Sequence, residues 1–142
     1  MNEYLFKDLK TGMKESFQKN ITKEMEDAFR EITGDYNPLH KDDSFAKTVG
    51  ERKFSSHVVF GMLTAALCST LAGMYLPGKY SLIHSIDELS FLNPVFPGDT
   101  LTVEGEITDT NEALKLIIIR VTMKNEEGKK VAKAKMKVLV LR

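Results

Sequence analysis

The sequence predicts an α+β domain, with helices in the first half and consecutive antiparallel strands in the second. Three observations carry this. Residues 22–34 have the caps and spacing of an amphipathic helix. Val58 to Leu76 contains no charged residue and reads as one buried helix. From Thr100 onward, apolar and polar residues alternate in successive runs separated by turn signals.

Taken in order, residues 1–12 form an entry segment ending at Thr11-Gly12. In Met13 to Gln18, Met13 and Phe17 oppose Lys14, Ser16 and Gln18, which predicts a short strand with Phe17 inward, although Glu15 shares that side. Thr22 is placed to cap a helix whose first turn carries Glu24, Glu26 and Asp27. Met25, Phe29 and Ile32, four and three apart, predict its apolar face. Gly34 suits a left-handed cap. Asp42, Asp43 or Ser44 can start a short helix with Phe45 and Ala46, and Gly50 to Ser56 is a polar, mobile loop. Val58–Leu76 nearly has the length of a membrane span, but it is rich in Gly, Ala, Ser and Thr and has no basic flank. A buried central helix fits that composition. Strands are then predicted over Tyr80–Phe91, Thr100–Thr108, Ala113–Lys124 and Lys129–Leu141, with turns at Phe96-Pro97-Gly98-Asp99 and Asn125-Glu126-Glu127-Gly128. The last three strands form a meander.

At 142 residues the chain is one domain, 1–142, with a single core. Twenty basic and twenty acidic residues cancel, which argues against general nucleic-acid or anionic-membrane attraction. One cysteine, Cys68, excludes an internal disulfide and a cysteine-rich metal site, and its apolar setting makes it a core residue rather than a nucleophile. Met1 to Lys10 reads as neither signal nor transit peptide, so a cytoplasmic location is expected.

The chemistry concentrates in Ile32-Thr33-Gly34-Asp35-Tyr36-Asn37-Pro38-Leu39-His40-Lys41-Asp42. Pro38 stops a helix and holds Asn37 extended. Asp35 and His40 therefore share a rigid non-helical loop, five positions apart, which suits a general base beside a second proton-handling group. The alternative is a helix–loop–helix junction whose polar residues only cap helix ends.

Residues 34–42 also resemble the hydratase motif of the MaoC-like, (R)-specific enoyl-CoA hydratases. The resemblance continues through Phe45-Ala46, Gly61-Met62-Leu63, Ser69, Leu76-Pro77-Gly78, Leu89-Ser90-Phe91 and Pro94-Val95-Phe96-Pro97-Gly98-Asp99. It implies a hot-dog fold, an antiparallel sheet wrapped around a long central helix. It implies that Asp35 and His40 hold and activate the water that adds to a trans-2-enoyl thioester, with Asp35 the general base. Gly61, near the start of the central helix, would bind the thioester carbonyl through its N–H. Ser69 would line the acyl pocket; Ala72, three positions on, shares roughly its helix face and is expected beside it, and the other reading of both is tight helix–sheet packing. Asn37 and Pro38 shape the loop. The chain departs from the family at Phe60, where a His often precedes the Gly; His57 is out of register for that place. His84 reads as structural, as does the solvated strand face of Lys133, Lys135 and Lys137, and no metal ligation is expected.

The implied activity is reversible hydration of trans-2-enoyl-CoA to (R)-3-hydroxyacyl-CoA, a hydro-lyase reaction of fatty acid metabolism with no cofactor beyond the coenzyme A thioester of the substrate. The alternatives are a 3-hydroxyacyl-acyl-carrier-protein dehydratase, a thioesterase, and a non-catalytic acyl-CoA sensor. Open sheet edges predict a homodimer or a multiple of it.

Overall fold

Thr22 opens the first helix as its side chain requires. In the computed structural model, which describes residues 1–142, its hydroxyl accepts from the Met25 N–H at 3.2 Å. Such a cap is worth about 1 kcal/mol. Helix α1 runs from Lys23 to Thr33 and ends at Gly34, whose φ of 71° is the left-handed cap expected of glycine. The buried side of α1 differs from the predicted one. Ile32 is 81% exposed, whereas Glu26 and Arg30 are buried. Residues 26 and 30 lie one turn apart on one face, and that face turns inward because each charged group finds partners there. Met25 and Phe29 pack at its margin, half-buried.

Strand β1, Lys14–Asn20, precedes α1 and has Phe17 directed inward against Tyr75, with ring centroids 5.0 Å apart. Glu15 is tolerated on the same side because Asn2 Nδ2 and the Tyr4 hydroxyl both donate to it at 3.0 Å. After α1, a short 3₁₀ turn over Pro38–His40 leads to α2, Asp43–Val49, where the Asp42 carboxylate accepts from the Phe45 N–H at 2.9 Å. Ala46 is wholly buried, and residues 50–56 form a loop.

The charge-free stretch forms its helix later than predicted. Helix α3 spans Gly61–Thr70 and continues as one wide π-helical turn over Leu71–Tyr75. Residues 57–60 stay extended because neighbouring loops claim their backbone: the Val58 N–H donates to the Leu39 carbonyl at 3.0 Å and the Val59 N–H to the Val95 carbonyl at 2.8 Å. No helix is long and apolar enough to cross a membrane.

Four strands follow: β2, Ser81–Phe91; β3, Thr100–Asn111; β4, Leu116–Lys124; and β5, Lys130–Val140. With β1 they make one antiparallel sheet in the order β1-β3-β4-β5-β2, so β3, β4 and β5 form the expected meander. The alternation read from β3 is realised: Leu101, Val103, Gly105 and Ile107 face inward. Strand β4 begins at Leu116 rather than Ala113, because Glu112 to Lys115 form a turn in which Lys115 has a φ of 49°. In β5, Ala132, Ala134, Met136 and Val138 are buried, while the intervening lysines face solvent in whole or part.

The sheet curls around α3 and the wide turn. Leu63, Leu67, Cys68, Leu71 and Ala72 meet Val103, Ile107, Ile119, Val121 and Met136 in one core. Each fully buried branched side chain there contributes roughly 1.5–3 kcal/mol of transfer free energy. Gly105 is needed at its point in β3, since a Cβ would lie 2.7 Å from the Leu71 side chain. The sheet thus carries the helix with its N-terminal end, Gly61, facing the loop of Asp35 and His40 across a shared pocket.

Candidate active site

The loop from Gly34 to Asp42 holds its shape through its own polar side chains. The Asp35 carboxylate accepts from the Asn37 N–H at 3.0 Å, and the Asn37 side chain accepts from the Leu39 N–H at 2.9 Å. These are successive Asx turns, and Pro38 starts the 3₁₀ turn that ends on His40. Asn37 therefore shapes the loop rather than reaching outward. The Thr33 hydroxyl joins the helix end to the loop, donating to the Phe29 carbonyl at 2.9 Å and accepting from the Asp35 N–H at 3.2 Å.

His40 is half-buried, and its Nδ1 lies 2.7 Å from the Val58 carbonyl oxygen. A carbonyl can only accept, so Nδ1 carries a hydrogen. Nε2 has no hydrogen-bond partner within the protein and is the nitrogen left for a ligand. The ring rests on Phe60, with centroids 4.4 Å apart. Phe60, in the place where a histidine was noted as common, is buried beneath the site and contacts Phe29 as well.

Gly61 is the first residue of α3, and its N–H makes no hydrogen bond within the protein. Such an N–H, at the positive end of the helix dipole, suits an oxygen that gains negative charge. Its lack of a side chain also matters: a Cβ would press to 3.3 Å from the Phe91 ring. Both readings of Gly61, close packing and a free donor, are compatible with this geometry.

Asp35, His40 and Gly61 line one pocket of about 260 Å³, walled by Phe29, Thr33, Phe60 and Met62. His40 and Gly61 also border an adjoining, more apolar pocket of about 350 Å³ that reaches Phe54, Thr64, Phe91 and Val95. The residues that carry a carboxylate, an imidazole and a free backbone donor thus line one space with an apolar annex. Another concavity lies on the outer sheet face, among Glu88, Arg120, Lys130 and Lys133. Its lining mixes charged side chains with hydroxyl and small apolar residues and holds no acid–imidazole pair.

The remaining expected site residues lie elsewhere. Ser69 is exposed on α3, and Ala72 is buried in the core at the wide turn; neither borders the two pockets of His40. His84 sits exposed at an irregularity in the pairing of edge strand β2. Burial pushes the Cys68 thiol up to about 11, as befits a core residue.

Sequence reasoning missed a partly buried ionic cluster beside the loop, with Glu26 and Arg30 inside and Asp27 and Asp43 at the surface. His57 Nδ1 lies 2.6 Å from Asp43 Oδ1, and its Nε2 lies 3.0 Å from Glu26 Oε1. Burial raises the Glu26 pKa, with partial relief from the nearby His57 and Arg30. The His57 backbone N–H, and next its ring, hold the Asp43 pKa below its ordinary value. Arg30 donates to Asp27 at 2.7 Å and to the His40 carbonyl at 3.0 Å. Spacing could have revealed this face, since Glu26 and Arg30 are four apart, but charged residues there read as solvated.

The MaoC-like domain model matches residues 7–131. The (R)-specific enoyl-CoA hydratase of Aeromonas caviae is 42% identical over 104 residues, which are 73% of this chain and 75% of that protein. The 3-hydroxybutyryl-CoA dehydratase of Methylorubrum extorquens is 35% identical over 104 residues, 73% of this chain and 64% of that one. Among solved structures, the (R)-hydratase from A. caviae superposes with a TM-score of 0.85 at 34% identity, covering 93% of this chain and 97% of that chain.

Proposed function

This chain belongs to the MaoC-like domain family, and we propose that it is a hydro-lyase, an (R)-specific enoyl-CoA hydratase that adds water reversibly to trans-2-enoyl-CoA. The observation that carries the reading is the convergence of Asp35, His40 and Gly61 on one pocket, in a chain similar to hydratases acting on coenzyme A thioesters. Coenzyme A is the carrier that these relatives' names favour over acyl carrier protein.

Hydration needs three things from the protein. A water must lose a proton as its oxygen bonds to the β-carbon, the thioester oxygen must accept enolate charge, and the α-carbon must gain a proton. In our reading Asp35 takes the proton of the attacking water. His40, with Nδ1 committed to Val58, uses Nε2 to orient the same water. The Gly61 N–H donates to the thioester oxygen. The proton that Asp35 takes from water is then passed to the α-carbon, so the carboxylate and the imidazole return to their starting charge. No metal or redox group enters these steps. The apolar space that adjoins His40 and Gly61, walled by Phe54, Phe91 and Val95, is the room we assign to the start of the acyl chain.

Mixing crotonyl-CoA with the protein separates this reading from its alternatives. Loss of the conjugated enoyl absorbance without thiol release is expected. Thiol release would indicate a thioesterase, and binding without either change a sensor. Asp35→Asn keeps the side chain's shape and removes the base, so turnover should fall about 10²–10⁴-fold with little change in affinity or fold. His40→Gln should lose activity in the same way. Their double variant should lose far less than the product of the two, because the groups share one water. Near-normal hydration by folded Asp35→Asn would sink the assignment.

A further inference from the structure

The partly buried cluster beside the loop bears on His40 from two directions. Arg30 is 5% exposed and grips the His40 main chain, donating from Nη2 to its carbonyl oxygen at 3.0 Å. Its guanidinium carbon also lies 5.6 Å from the centroid of the Phe60 ring, the ring on which the imidazole rests. Asp27 holds the other arm of the guanidinium at 2.7 Å. From the opposite end, the imidazole bonds to the Val58 carbonyl, and the residue before Val58 is His57. His57 is anchored on three counts: its ring reaches Glu26 on α1 and Asp43 on α2, and its backbone N–H donates to Asp43 at 2.8 Å.

We propose that Arg30 and His57 are positioning residues for His40. Arg30 fixes the backbone from which the imidazole projects, and His57 fixes the carbonyl that selects its tautomer. The burial of the charges supports this assignment. An arginine carries five donors, and one removed from water needs partners beyond a single carboxylate. Here one arm is spent on a backbone carbonyl of the catalytic loop, and Nε is left without any partner. A carbonyl in a 3₁₀ turn is a fixed point, and a bond to it sets where the following imidazole atoms lie. Small displacements of a proton-handling group cost much, up to about 10²-fold in rate for 1 Å. Neither residue touches the substrate in this account.

The proposal rests on the hydratase reading for its kinetic test, and a spectroscopic test is independent of it. Arg30→Met removes the donors and the charge at similar length. With crotonyl-CoA, kcat should fall about 10- to 100-fold while KM stays within about twofold. In a His40→Gln background the same substitution should cost less than about twofold, since its effect passes through His40. Equal losses in the two backgrounds, or no loss in either, would overturn the proposal. Should Arg30→Met fail to fold, Arg30→Lys and His57→Gln are read by the same comparison, with the same pattern expected and the same results overturning it. In ¹⁵N-labelled protein, wild-type His40 should show the Nδ1–H tautomer, and the variants should show a mixture with faster exchange of that proton. An unchanged tautomer would overturn the proposal. Absence of hydration by the wild type would overturn the functional reading alone.

Discussion

Ala72 and Glu26 illustrate how much a single position's surroundings decide. The spacing of Ala72 from Ser69 predicts a place on the acyl pocket, with tight packing as its other reading. At 1% exposure, amid the core around the wide turn, it has no room for a larger side chain. Ala72→Leu should therefore destabilise the fold by roughly 1–3 kcal/mol, seen as a lower urea midpoint. The loss of folded protein should lower total activity equally at every acyl length, with the chain-length profile unchanged. A stable variant that discriminates only against long chains would instead place Ala72 on the acyl path. Glu26 carries its carboxyl inside the protein, with Oε2 unpartnered. Its folded pKa is raised from the ordinary 4.5, chiefly by burial. Stability linked to a raised carboxyl is fully present below the unfolded pKa and is lost as pH rises through the folded value. Gln cannot ionise, so the stability of the wild type relative to Glu26→Gln should decline as pH rises above the ordinary carboxyl value of 4.5. Urea titrations across that range check this. A difference that grows with pH would mean that His57 and Arg30 outweigh burial.

At the scale of elements, α1 and α3 do different work from the same kind of helix. Helix α1 is a bracket. Its end at Gly34 releases the loop of Asp35, and its inner face sends Glu26 and Arg30 to hold that loop and the segment before α3. Helix α3 is the spine of the core and ends, on its N-terminal side, in a free Gly61 N–H. The extended residues 57–60 link the two, since Val58 bonds to Leu39 through its N–H and to His40 through its carbonyl. Had α3 begun at Val58, that carbonyl would have turned along the helix axis to the Met62 N–H and left the imidazole without its tether. The late helix start is thus part of the site. The exposed Ile32 belongs with it, because α1 is rotated to bring charges rather than apolar residues inward.

At the scale of the whole molecule, the sheet has two free edges, β1 and β2. Strand β2 carries Leu82, 53% exposed, and Ile86, 39% exposed, on one side. Phe91 and Met62, both exposed, stand near the open end of the site. Apolar side chains along an edge strand suit pairing with a second copy across a two-fold axis. We expect a homodimer through β2 that also covers the open side of α3 near Ser69. Sedimentation should give twice the chain mass, and Ile86→Glu should give the single chain with reduced hydration. A concentration-independent monomer of full activity would refute the assembly.

Much was legible from local pattern alone. Thr22, Gly34, Pro38 and Asp42 act through their own backbone neighbours, so the helix ends and the rigid loop could be read in the sequence. Alternation in β3 and β5 states which side is inward, because side chains on a strand point to opposite faces in turn. Asp35 and His40 could be paired because only five positions and one rigid loop separate them. What the sequence could not decide was every matter set by distant contacts. The rotation of α1, the burial of Glu26 and Arg30, the late start of α3 and the two carboxylates of His57 all depend on residues 14 to 36 positions away or on separate elements. Local spacing reports the face a helix could bury. Only the assembled neighbours, through hydrogen bonds that offset the cost of burying charge, determine the face it does bury.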